Sequence, residues 1–141
     1  MEDLMRTHSL LLLSGLLMAG CGDKDGDTGG GDSGGAVAEL TYGEVQVILG
    51  QSCGFSSCHG AGIGDLTLGD GNEYATLVGV PSADLPDVNL VEAGDANASY
   101  LIMKMEDAGN IDGTVMPPSG ALDQVTIDGI RDWIDRGAPQ D

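Results

Sequence analysis

Basic residues are scarce in this sequence. Five Lys and Arg stand against 23 Asp and Glu over 141 residues, which gives a formal charge of −18 and a pI near 4.1. That shortage excludes nucleic acid as a partner, because a phosphate-binding surface works through clustered Lys and Arg, and the five here are scattered. Aromatic side chains are few as well: one Trp, one Phe and three Tyr. The length suits one domain of roughly 100–200 residues plus appendages, and no second core is available. Cysteine occurs three times, at Cys21, Cys53 and Cys58, and histidine twice, at His8 and His59. No apolar run reaches the roughly 20 residues that cross a bilayer.

The apolar stretch that is present runs from Leu10 to Met18, interrupted only by Ser14 and Gly15. It has the length of a signal h-region, about 7–15 residues. It ends in Leu17-Met18-Ala19-Gly20-Cys21, which resembles the lipobox of bacterial lipoproteins, where small residues admit the lipoprotein peptidase and the cysteine sulfur takes a diacylglycerol. The resemblance implies a signal peptide over residues 1–20, lipidation at Cys21 and an extracytoplasmic, membrane-anchored product. Translation from Met5 would leave Arg6 and His8 as a basic start in place of Glu2 and Asp3. Gly22 after the lipidated cysteine favours the outer membrane of a Gram-negative bacterium. From Gly22 to Gly35 the chain holds almost only Gly, Asp, Ser and Thr, with one Lys, and such a composition cannot bury enough apolar surface to offset chain entropy. Residues 21–36 therefore read as a lipidated cysteine and a flexible linker spanning about 20 Å.

Residues 37–141 carry the folded domain. Thr41 and Glu44 form a capping box, which predicts a helix starting there with Val45, Ile48 and Leu49 on one face and Leu40 stapled to Val45. A short helix is expected from Glu73 to Val78. Another is expected with Asp95 as N-cap, carrying Tyr100, Leu101, Ile102 and Met105. The last, from about Gln124 to Arg136, places Ile127, Ile130, Trp133 and Ile134 on one stripe and stops at Gly137. The domain reads as all-α with long loops. With so few aromatics and so many glycines, something besides side chains is expected to fill its middle.

The first helix runs into Cys53-Gly54-Phe55-Ser56-Ser57-Cys58-His59-Gly60. Two thiols followed at once by a histidine is the order that covalent haem attachment needs, one thiol for each vinyl group and the imidazole beneath the iron. The usual spacing is C-x-x-C-H, and here four residues separate the cysteines. Two other readings stay open. One is a disulfide closing a small loop in an oxidising compartment. The other is zinc, which has only Cys53, Cys58 and His59 as good ligands and needs a carboxylate as the fourth.

Over residues 40–138 the chain resembles class I cytochrome c domains. A helix precedes the cysteines, Gly60 follows the histidine, Val115-Met116-Pro117-Pro118 is similar to the distal methionine loop, and a closing helix carries Trp133-Ile134 and ends in Arg136-Gly137-Ala138. The resemblance implies one covalent haem c, with Cys53 and Cys58 as thioether anchors, His59 as proximal ligand and Met116 as distal ligand. Met116 also stands on its own ground. His8 leaves with the signal peptide, so bis-histidine ligation within the chain is excluded, and Met103 and Met105 fall in a helical pattern where core packing is the commoner use. An ordinary polyproline-like turn is the plain alternative for Met116-Pro117-Pro118, and plain core is the commoner use of Trp133, ahead of a redox relay. With both axial positions filled, one-electron transfer is the expected work rather than catalysis, and the acidic charge favours redox partners with a basic docking surface. A non-haem, disulfide-stapled surface lipoprotein acting as a binding module, or a catalytic haem protein with an open sixth position, are the other classes.

Overall fold

Thr41 opens the first helix of the computed structural model, which describes residues 39–141. Its hydroxyl accepts the Glu44 amide hydrogen, and the Glu44 carboxylate accepts the Thr41 amide hydrogen at 2.9 Å. This is the predicted capping box, and α1 follows over Tyr42–Ser52. Val45 and Leu49 are fully buried, while Leu40 and Ile48 pack against the same core from its edge. The expected signal peptide, lipidated Cys21 and linker lie outside the described residues.

The closing helix, α4, spans Gln124–Asp135 and is capped by Asp123, whose carboxylate accepts the Thr126 amide hydrogen at 2.9 Å. Ile127, Ile130, Trp133 and Ile134 are buried along it, the predicted stripe. It ends before Gly137, whose φ of 97° is a conformation that glycine takes without strain.

The few aromatics are concentrated where α1 meets α4. The Tyr42 ring stacks on Trp133 at 6.1 Å and meets the edge of Tyr74 at 5.3 Å. Trp133 Nε1 donates to the Pro139 carbonyl at 3.0 Å, and the Tyr42 hydroxyl accepts the Tyr74 amide hydrogen at 2.9 Å. Tyr74 belongs to α2, Glu73–Leu77, close to the expected short helix.

The region around Asp95 differs from the reading of the sequence. Asp95 caps a 3-10 turn, Ala96–Ala98, and not a helix; Ser99 is extended at φ −92° and ψ 120°, and α3 begins only at Tyr100 and runs Tyr100–Met105. The cause is local: the Ser99 hydroxyl donates to the Asp95 carbonyl at 2.9 Å and accepts the Glu92 amide hydrogen at 2.9 Å. A fully buried serine thereby satisfies its hydroxyl at the cost of helix continuity.

Between α2 and α3 the chain doubles back through two isolated bridges, Val78 with Val91 and Pro81 with Asn89. Among the described residues there are four α-helices and no strand. The domain is mainly helical, which is compatible with the expected all-α class. No helix among those residues is long and apolar enough to cross a membrane.

Candidate functional site

Cys53 caps the C-terminus of α1, its amide hydrogen held by the Leu49 carbonyl at 2.8 Å. The chain then makes a closed loop. The Cys58 amide donates to the Phe55 carbonyl at 2.8 Å, Gly60 donates to the same carbonyl at 3.0 Å, and His59 donates back to the Cys53 carbonyl at 3.2 Å. The four residues between the cysteines are thus taken up as a turn, with Phe55 out in solvent, and His59 returns to the helix end. The loop is tight. A Cβ on Gly54 would lie 2.6 Å from the Gly50 carbonyl oxygen and 2.9 Å from that of Leu68, and one on Gly60 would collide with the Gly54 and Phe55 carbonyls.

No disulfide joins Cys53 and Cys58; both are free thiols. Cys53 is buried, and burial, reinforced by the nearby Cys58, pushes its thiol above the usual 9.0. It therefore stays protonated at neutral pH. The His59 Nδ1 atom is buried without a hydrogen-bond partner, and no hydrogen bond engages the ring among the described residues. Such an orphan is costly unless the site gives it a use.

Met116 arrives from a different part of the chain. Its amide donates to the Lys104 carbonyl at the end of α3, at 2.8 Å, and Gly120 closes a turn onto the Pro117 carbonyl at 3.3 Å. The segment is a turn that sets Met116 against the end of α3.

Cys53, Cys58, His59 and Met116 all line one cavity of about 720 Å³, within the roughly 300–1,000 Å³ common for cofactor sites. Its apolar wall comes from Leu66, Leu68, Leu90, Leu101 and Met105. Of the other methionines, Met105 lines this cavity and Met103 does not; Asn110 Nδ2 approaches the Met103 sulfur at 3.8 Å. Trp133 is not on the wall and serves as core. Among the described residues no cluster of three His, Cys, Asp or Glu side chains is placed to hold a metal ion, so the zinc reading finds no preformed site.

No family model, curated protein or solved structure matches the chain.

Two features of the site escape a reading of the sequence. Tyr100, on the cavity wall, donates its hydroxyl hydrogen to Asp84 at 3.2 Å and accepts the Asp112 amide hydrogen at 3.1 Å. Burial pushes its hydroxyl above the usual 10.0, helped by the Asp84 charge and opposed by the Asp112 amide. Glu73, fully buried, accepts from Gln46 Nε2 at 2.7 Å and from the Gly69 amide at 2.5 Å. It ties the segment after the His59 loop to α1. The one signal for it is an acid at a helix start directly after the glycine-rich turn Gly69-Asp70-Gly71-Asn72.

Proposed function

We propose that this chain is a lipid-anchored, mono-haem c-type cytochrome that carries single electrons between extracytoplasmic redox partners, an electron carrier and not an enzyme. The observation that supports it most is the meeting of Cys53, Cys58 and His59 with Met116, from distant segments, on one largely apolar cavity. The donor set fits the group: two free thiols, an imidazole that no hydrogen bond engages, and a thioether. Cys53 and Cys58 would hold the haem covalently, and the His59 imidazole and Met116 thioether would be donors to its iron. When bound, haem supplies reversible one-electron chemistry, at a potential that a methionine ligand raises relative to histidine.

The chain's own residues do the rest. The leucines give the site an apolar wall, and burial pushes the Cys53 thiol above its ordinary value. The Met116 segment is fixed by its bond to Lys104. The acidic surface would steer basic partners in a way that weakens with salt. The lipid on Cys21 and the linker after it would hold the domain near an outer membrane while leaving it free to turn.

The alternative, a disulfide-stapled binding module, would bond Cys53 to Cys58 and give a colourless protein. The test is a pyridine haemochrome spectrum of protein produced with cytochrome c maturation factors. A c-type band that acidic acetone does not extract is expected; the absence of any Soret band under those conditions would sink the proposal.

A further inference from the structure

Lys104 stands out in a chain so short of cations. Among the described residues, Arg131 pairs with Glu106 at 3.1 Å, and Arg136 pairs with Asp132 at 2.8 Å and Glu39 at 3.7 Å, while Lys104 makes no ion pair. It is the one Lys or Arg on the cavity wall. Two carboxylates, Asp65 and Asp84, share that wall, yet neither is paired with it, and Asp84 is engaged by the Tyr100 hydroxyl. Lys104 Nζ donates instead to the Asp112 carbonyl at 2.6 Å. That contact occupies one of the three ammonium hydrogens and leaves two without a named acceptor.

An ammonium with hydrogens to spare, at the edge of an apolar cavity in a protein of charge −18, is a site for an anion carried by the cavity's own ligand. Haem has vinyl groups on one edge and two carboxylates on the opposite edge. Resting on the haem reading of Cys53 and Cys58, the vinyl edge belongs to the loop after α1, and the carboxylate edge must be met from another element. Lys104, in the last turn of α3, is that element's charged side chain on the wall.

We propose that Lys104 is the cation that receives a carboxylate of the tetrapyrrole, so that the cavity recognises the acid edge of its cofactor as well as the vinyl edge. The side chain is free for this role, because the bond that fixes Met116 uses the Lys104 backbone carbonyl. Removing the ammonium therefore need not disturb the methionine loop.

The test is equilibrium binding of ferric protoporphyrin IX and of its dimethyl ester to the full chain with reduced thiols, read from the Soret band. Wild type should prefer the diacid by roughly ten- to a hundredfold, the range for a hydrogen bond to a charged group. Lys104→Gln should bring that preference close to one while leaving affinity for the diester unchanged, which also reports an intact fold; Lys104→Arg should keep most of it. A Gln variant that binds the diester normally and retains the preference overturns the proposal alone. Failure of wild type to bind either porphyrin overturns the haem reading and this inference with it.

Discussion

On the proposed haem reading the distal side of the site depends on Met116, and its surroundings rank the alternatives to it. Lys104 and Met105 share its cavity, and Met103 does not. The Lys104 ammonium is a donor with no lone pair for a metal, which leaves Met105 as the substitute donor on the wall. Met116→Ala is expected to keep the covalent pigment, since Cys53 and Cys58 are untouched. It should admit carbon monoxide or cyanide and lower the midpoint potential by on the order of 0.1 V, a fraction of the roughly 0.8 V that axial ligands span. Voltammetry and a carbon monoxide titration check this. An unchanged spectrum and potential would remove Met116 from the site and make Met105→Ala the next variant, with Met103 excluded by its position.

The loop from Cys53 to Gly60 is the element that takes up the four residues between the cysteines. Its closure depends on backbone approaching backbone at Gly54, where an added methyl has no flexible side chain to push aside. Gly54→Ala is expected to destabilise the domain by about 1–3 kcal/mol, the usual cost of overpacking, and to reduce covalent haem incorporation. Chemical denaturation and the haem-to-protein absorbance ratio measure the two effects. Unchanged values of both would mean that the loop relaxes freely and that its tightness is not needed. The elements differed in how far their sequences disclosed them, for physical reasons. Helices α1 and α4 carry apolar positions at helical spacing, so Thr41 with Glu44 and the stripe from Ile127 to Ile134 mark them plainly, while the Asp123 cap of α4 emerged only in the structure. Helix α3 is nearly all apolar and short, so no period marks its start, and a buried serine three-dimensionally satisfied at both ends decides where it begins. The residues singled out for their rare chemistry, Cys53, Cys58, His59 and Met116, line one cavity. Its wall was not legible in the sequence, because Leu66, Leu68 and Leu90 come from irregular segments with no repeating pattern, and the Tyr100–Asp84 contact joins residues that only tertiary packing brings together.

At the scale of the whole molecule, acid acts in two opposed directions. The first concerns carboxylates held below their ordinary values in the folded state. Burial alone would push Glu73 up, but Gln46, with the amides of Glu73 itself, Gly69 and Gly71, outweighs it and holds Glu73 below 4.5. The Thr41 amide and then its hydroxyl do the same for Glu44. For Asp123 the Thr126 hydroxyl acts first and its amide second. A carboxylate lowered by folding stabilises fully above its unfolded value, because the unfolded chain takes up protons first as pH falls; that stability is lost as pH drops through the folded value. The second effect is the charge of −18, whose self-repulsion is relieved as carboxylates protonate, so acid should stabilise on this account. Salt separates them, since a screening length of about 3 Å at 1 M removes most repulsion between exposed groups and leaves a buried contact nearly untouched. In 1 M salt the melting temperature is therefore expected to hold from pH 7 to about 5 and to fall below 4.5. Glu73→Gln should be less stable at pH 7 by about 1–3 kcal/mol, the cost of weakening hydrogen bonds to a buried charged group. Its acid limb should also be shallower than that of wild type, because one of the three linked carboxylates no longer titrates. Thermal melts followed by circular dichroism across this range decide the matter: parallel curves for the two proteins would show that Glu73 does not set the acid limit, and that the exposed helix caps do.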